Sequence, residues 1–341
     1  MPEGPVTSER RPQADRADAV LSGALDRATD ESLAAAAHGV AVVHLSPAKL
    51  AWRRFRAHKM AMASVVLLAI IAVLVFFPSL VTEHGPNERL GMEVRQQSPS
   101  MEHPFGTNRN QQDMLSRVLH GGQVSLQVGL AVALIAGIVG TAVGGVAAYV
   151  GRWVDTVLMR VTDLFLAIPL LVALIVMTRL PEEQAWAETL IGGRGSVRSV
   201  ISILAAFFWM PIARLVRGEL LSLKEKEFIE AARAIGASGP RILVRHLIPN
   251  AAGTIVVAVT LAVAAAILTE SALSFLGFGV DRVFTPTWGN LLDDARSAPL
   301  TGNPFLVYFP GLAILLTVLC VNYIGDGLRD ALDPRQRLGA T

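Results

Sequence analysis

Few residues in this chain are placed to do covalent chemistry. The lone cysteine, Cys320, sits inside an apolar run. It has no second thiol to pair with and no neighbouring ligands for a metal, so it reads as a small buried hydrophobe. His103 and His120 stand alone in a polar segment and read as solvated rather than metal-binding. Leu119-His120-Gly121-Gly122-Gln123 superficially matches an ATPase signature loop. No G-x-x-x-x-G-K-[ST] cradle accompanies it, so nothing can hold a nucleotide's phosphates. H-E-x-x-H, paired-cysteine and nucleophile-elbow patterns are absent as well. The expectation is a non-enzyme without a cofactor or a metal. Charges in costly places remain. Asp163, Glu270 and Asp326 lie near the ends of apolar segments, where a charge is expensive and often functional. Asp163 is expected to pair with Arg160 at i,i+3, and Asp326 with Arg329 or as a cap on an exit turn. Glu270 is the candidate for lining a passage or steadying a gate.

The elements that carry these residues follow from composition. Of 341 residues, 52% are hydrophobic and 17% charged, against about 25% charged in an average soluble domain. Residues 60–82, 118–151, 246–269 and 297–325 contain no Asp, Glu, Lys or Arg. A bilayer accounts for such runs, because a spanning helix needs about 20 apolar residues. A soluble enzyme, a nucleic-acid binder and a secreted disulfide scaffold are excluded, and the net charge of +2 is too small to call for a polyanionic partner. The fold expected is an all-α integral membrane protein with six spans, near 60–81, 124–150, 157–179, 198–217, 251–273 and 304–324. The third and fourth carry charges and reach spanning length only if those charges sit at the interface or face protein.

Basic residues set the orientation. With the N-terminus inside, inner segments after residue 45 and their span ends hold 17 Lys+Arg and nine acids, the outer ones nine and 12. Both termini are therefore expected in the cytoplasm. The first span is read as an uncleaved anchor rather than a signal peptide. Residues 1–45 read as a disordered cytoplasmic tail. Segment 46–81 reads as an interfacial helix, started by Ser46-Pro47, leading into the first span, and 82–123 as an extracytoplasmic loop. Segment 124–324 is the core transmembrane domain, with an inner loop at 217–249, and 325–341 a C-terminal cytoplasmic tail. Gly137, Gly140, Gly144 and Gly145 in the second span predict close helix packing and a central place in the bundle.

The inner loop is the most informative segment. Phe228, Ala231, Ala232 and Ile235 fall at i, i+3, i+4 and i+7, one apolar stripe with alanines at its centre. Lys224, Glu227, Glu230 and Arg233 lie off it, and Gly236 stands where a helix end takes a left-handed residue. Gly239-Pro240 restart a helix expected to end at Ile248-Pro249-Asn250. Two readings of the stripe stay open on pattern alone: insertion into a groove on another protein, or folding back on the membrane bundle.

Glu230-Ala231-Ala232, Gly236 and His246-Leu247-Ile248-Pro249 together resemble the EAA loop of bacterial ABC-importer permeases. Arg214-Leu215-Val216-Arg217-Gly218, Ala272-Leu273-Ser274-Phe275-Leu276-Gly277-Phe278-Gly279, Thr287-Trp288-Gly289 and Gly325-Asp326-Gly327-Leu328-Arg329-Asp330-Ala331-Leu332-Asp333-Pro334 are similar to the second permease subunit of dipeptide/oligopeptide (and nickel) transporters. The resemblance covers roughly 48–338. It implies a MetI-like permease that forms the pathway with a second homologous permease, in contact with membrane lipid and not nucleic acid. It also implies two cytosolic ABC ATPases and an extracytoplasmic binding protein. The setting is a bacterial inner membrane and the cargo a peptide, or alternatively nickel or another small solute. A secondary transporter is the more distant alternative; it would carry coupling acids at the midplane, often in inverted repeats, and neither is evident. By the same resemblance the loop is a coupling helix docked in an ATPase cleft, with Phe228, Glu230, Ala231, Ala232, Ile235 and Gly236 as docking residues and Glu227 and Arg233 at the rim. The family's outer loop reads His-Pro-x-Gly-Thr-Asp then Gly-Arg-Asp. Here the chain has His103-Pro104-Phe105-Gly106-Thr107-Asn108 then Gln111-Gln112-Asp113, and Gln123 replaces a later arginine.

Overall fold

The structure, a computed structural model, describes residues 47–179, 188–189, 191–281, 283–296 and 303–333. The tail expected at 1–45 and part of the stretch between the third and fourth expected spans fall outside these residues. Among the described residues there is no strand, only an isolated antiparallel bridge between Thr107 and Asp113. The helices are α1 (Pro47–Ala57), α2 (Lys59–Phe76), α3 (Met114–Val150), α4 (Arg152–Leu166), α5 (Leu170–Met177) and α6 (Val197–Lys224). After these come α7 (Glu227–Ala234), α8 (Gly239–Ile242), α9 (Ile248–Phe275), α10 (Trp288–Arg296) and α11 (Phe305–Leu332). Among the described residues five helices are long and apolar enough to cross a membrane; α4 and α5 make a sixth only as a pair bent by 86°. The third span, expected as one segment near 157–179, is instead broken at Ala167–Pro169, where Pro169 supplies no N–H to a continuing helix.

α3 is the hub, packed against α2, α4, α6, α9, α10 and α11. It begins ten residues before the expected span start, because Asp113 caps it by accepting from the Ser116 N–H at 2.8 Å. At 1.5 Å per residue it is about 55 Å long, more than the ~30 Å hydrocarbon core. Residues 114–123, expected in the outer loop, are therefore helix. The glycines explain the hub. A Cβ on Gly140 would lie 2.7 Å from the Trp209 carbonyl oxygen, and a Cβ on Gly144 would lie still closer to that of Ala213. The two small positions bring the backbone of α6 against α3. Gly129 and Gly137 do the same for the Ile267 and Val259 side chains of α9.

Two further boundaries differ from expectation. The helix restarted at Gly239 does not end at Ile248-Pro249-Asn250. It runs on into α9 through a widened turn at Leu243–Leu247. Pro249 cannot donate to Arg245, and the wider turn accommodates that missing bond. The last span, expected to end at 324, continues to Leu332, where Ala331 packs with Phe55 and Ala61. Asp326 is thus mid-helix and exposed rather than at an exit turn. A Cβ on Gly327 would lie 2.5 Å from Ala61 Cβ, so glycine lets α2 sit against α11. Arg54 donates to the Asp333 carbonyl at 3.0 Å, a basic side chain on a helix C-terminus.

Residues 82–113 pack as a cap on the helices. His103, expected to be solvated, is buried with Nδ1 3.0 Å from Asp113 Oδ2. Phe105 stacks on Phe309. His120 lies within α3, bonded to the Ser116 carbonyl at 2.9 Å. At the altered positions, Asn108 Nδ2 donates to Gln112 Oε1 at 2.9 Å, and the same oxygen accepts from buried Arg117. An amide pair therefore stands where the family pattern has an acid and an arginine. Gln123 donates to the Val75 carbonyl near the end of α2 at 2.8 Å. Gln111 holds φ of 62°, a left-handed backbone suited to the glycine of the family pattern. Gln111→Gly should stabilise the protein by about 1 kcal/mol. The check is the thermal unfolding midpoint of the detergent-solubilised chain. An unchanged or lower midpoint would mean that this turn carries no strain.

Candidate functional site: the 217–249 loop

The loop is built from the ends of three elements. Lys224, at the end of α6, donates to the carbonyls of Ala148 and Tyr149 at 3.1 and 3.2 Å, closing the C-terminus of α3. α7 follows with Glu227 and Glu230 in its first turn and Arg233 in its last, the signs that suit the helix dipole. Gly236 ends it at φ 84°, with Gly236 N–H to the Arg233 carbonyl at 2.9 Å and Ala237 N–H to that of Ala232 at 3.0 Å. These two bonds make a Schellman closure, which needs the left-handed residue read from the sequence. Gly239 then lies against the Tyr149 hydroxyl, with which a Cβ would collide.

The orientation of α7 differs from the expected stripe. Ile229 is 0% and Ala232 5% exposed, and both belong to a core cluster with Ile212, Val216, Leu220, Ile242, Leu247 and Ala251. Phe228 is 41% and Ile235 86% exposed, and Glu227, Glu230, Ala231, Arg233 and Gly236 are exposed too. At 3.6 residues per turn, the buried face is rotated by roughly 80° from the centre of the expected stripe. The stripe therefore divides between the two readings left open. Ala232 turns to its own bundle because Ile229, which lay outside the stripe, is the larger apolar anchor. Ala231 stays outward, between Glu227, Glu230 and Ala234, with Phe228 and Ile235 on the flank.

Glu270 is fully buried. Ser274 donates to Oε1 at 2.7 Å and Ser125 to Oε2 at 3.2 Å, while Ser125 Oγ also accepts from the Trp288 N–H. The side chain ties α9 to α3 and to the start of α10. Thr287 and Asn290 cap α10 reciprocally, at 2.8 and 3.2 Å, and a Cβ on Gly289 would lie 2.5 Å from the Ser271 carbonyl oxygen. Asp163 does not bond Arg160 but Arg214 of α6, at 2.7 Å. This pair between helices was not legible from helical spacing.

Two family models match this sequence. Residues 140–338 match that of the binding-protein-dependent transport system inner membrane component, and residues 46–104 that of the N-terminal TM domain of oligopeptide transport permease C. The glutathione transport system permease protein GsiD of Shigella dysenteriae serotype 1 (strain Sd197) is 39% identical over 285 residues, covering 83% of this chain and 89% of that one. Its counterpart from Escherichia coli O6:K15:H31 shows the same identity and coverage. Among solved structures, an inward-facing MetNI methionine ABC transporter chain is similar with a TM-score of 0.51 at 21% identity. That likeness covers 64% of this chain and 98% of the other, and speaks to fold alone.

Proposed function

This chain belongs to the family of binding-protein-dependent transport system inner membrane components, the permease subunits of ABC importers, and on that premise we propose that it imports peptides. In this reading it forms the pathway with a second, homologous permease, receives cargo from an extracytoplasmic binding protein, and is driven by two cytosolic ATPases. The family membership sets aside a secondary transporter. Nickel or another small solute is the alternative cargo. Peptide is preferred because the relatives sharing 39% identity are named for glutathione, itself a short peptide. Both termini and the 217–249 loop lie in the cytoplasm in this reading, with residues 82–113 outside.

The observation that carries the coupling role is the two-sided α7. Ile229 and Ala232 anchor it to α6, α8 and α9, while Ala231 and its charged neighbours remain open. A partner pushing on the open side moves a helix fixed to three elements of the bundle. Glu227, Phe228, Glu230, Ala231, Arg233, Ile235 and Gly236 form or border the docking surface, and Ala232 transmits rather than touches. The test is uptake into proteoliposomes holding this chain, its second permease, both ATPases and the binding protein. Labelled dipeptides and glutathione should accumulate with ATP and not with a non-hydrolysable analogue. ATP-driven nickel uptake with no peptide uptake would overturn the cargo; no ATP-dependent uptake of any solute would overturn the coupling.

A further inference from the structure

Two ion pairs join α4 to α6, and their exposure runs against what lipid would require. Arg217 grips Asp155 through two bonds of 2.5 Å, with side chains 32% and 18% exposed. Arg214 and Asp163, 2.7 Å apart, are 53% and 43% exposed. From Arg198 to Arg217 along α6 is about 30 Å, the thickness of the hydrocarbon core. Arg214 lies one turn inside that limit, so the deeper pair is the more open one. Charges at such depth face protein or water, not acyl chains, and the short side chain of Asp163 cannot reach a distant interface as an arginine can.

The rest of α4 agrees. Arg152, Thr156, Arg160 and Asp163 fall at i, i+4, i+8 and i+11 on one face, all exposed or half-exposed. Val157, Val161 and Leu164 occupy an adjoining face, centred roughly 110° around the helix, and are 50%, 42% and 67% exposed. A helix open on both sides, polar on one and apolar on the other, separates water from lipid. Covering the polar face with a partner protein would strip water from an already paired Asp163 and Arg214, at a desolvation cost. We infer that the polar face of α4, with the Asp163–Arg214 pair, is a wall of the water-filled passage. Its three arginines, Arg152, Arg160 and Arg214, outnumber its one aspartate, Asp163, so it favours solutes bearing a free carboxylate. The assignment rests on the permease reading and adds the chemistry of its passage.

The experiment uses the complete complex in membranes, with Cys320→Ala as background. Single cysteines replace Thr156 or Arg160 on the polar face and Val157 or Val161 on the apolar one. Two membrane-impermeant thiosulfonates, one anionic and one cationic, are applied from the cytoplasmic side, and modification of this chain is read by mass. The polar-face cysteines should react at least tenfold faster than the apolar-face pair and lose that reactivity when the ATPases are trapped with vanadate. The Thr156→Cys site should prefer the anionic reagent several-fold over its preference at a free thiol. Equal reactivity of the two faces, or no reaction on the polar face, overturns the wall. Rapid reaction unchanged by vanadate places α4 on the membrane surface among lipid headgroups and overturns it too. A preference for the cationic reagent overturns the carboxylate selectivity. ATP-dependent uptake by the same background complex, measured in parallel, reports separately on whether the permease reading stands.

Discussion

Gly144→Leu should abolish accumulation of the folded protein, the largest effect expected from a single substitution outside the loop. A Cβ at this position would lie well inside van der Waals contact distance of the Ala213 carbonyl oxygen and 3.1 Å from the Arg217 backbone nitrogen. These are backbone atoms of α6, so no rotamer change relieves the clash; the helices must part. Inserting one or two methylenes into a packed core costs about 1–3 kcal/mol. A whole leucine against backbone exceeds that, against a total stability of about 5–15 kcal/mol. Separation would also expose the Ile212 and Val216 contacts that seat α7. Gly144→Ala should give an intermediate loss of several degrees in midpoint. Gly218→Ala is the control: a Cβ there meets nothing within 4 Å, and alanine is the better helix former by about 1 kcal/mol. Membrane-fraction abundance and thermal unfolding in detergent read all three. Normal abundance of Gly144→Leu would mean that α3 and α6 are not held at this distance.

Ala231→Arg should leave the protein folded and inserted yet cut ATPase binding and uptake by tenfold or more. The side chain projects from the open face of α7, so arginine meets water in the free chain and the cleft wall in the complex. A charge forced unpaired into an interface costs several kcal/mol, and 1.4 kcal/mol already weakens association tenfold. Ala232→Arg behaves differently. It must enter the cluster of Ile212, Val216 and Leu247, so it should lower the thermal midpoint of the isolated chain before any partner is present. Arg233→Ala, at the edge of the open face, should do little to either. Pull-down of the ATPases together with thermal unfolding separates the cases. If Ala231→Arg binds its ATPases fully, α7 docks by another face or not at all.

Much of this was legible before any coordinates. Four charge-free runs fixed the unambiguous spans, and the glycines of the second span announced a helix packed at backbone distance. Gly236 announced the left-handed closure of α7. What escaped has a common physical reason: it depends on partners far apart in sequence. The stripe at Phe228, Ala231, Ala232 and Ile235 satisfies helical spacing, but Ile229 wins the core because α6 and α8 leave a pocket for the larger side chain. Asp163 has Arg160 one turn away in sequence and chooses Arg214, 51 residues on. His103 looked solvated because nothing in its neighbourhood showed that Asp113 would fold over it. Nor does spacing reveal that Ser125 of another helix donates to Glu270. Helix ends drifted for a related reason: α3 starts at a cap, Asp113, that hydropathy does not see.

The most direct measurement of the coupling role is site-specific photo-crosslinking in cells making the whole transporter. A photoreactive phenylalanine analogue would replace Phe228, Ile229 or Ile235 one at a time. The account predicts crosslinks to an ATPase subunit from positions 228 and 235, and none from 229, whose side chain is enclosed by this chain's own helices. Crosslinks to an ATPase from 229 with none from 228 and 235, or no ATPase adduct from any of the three, would contradict it.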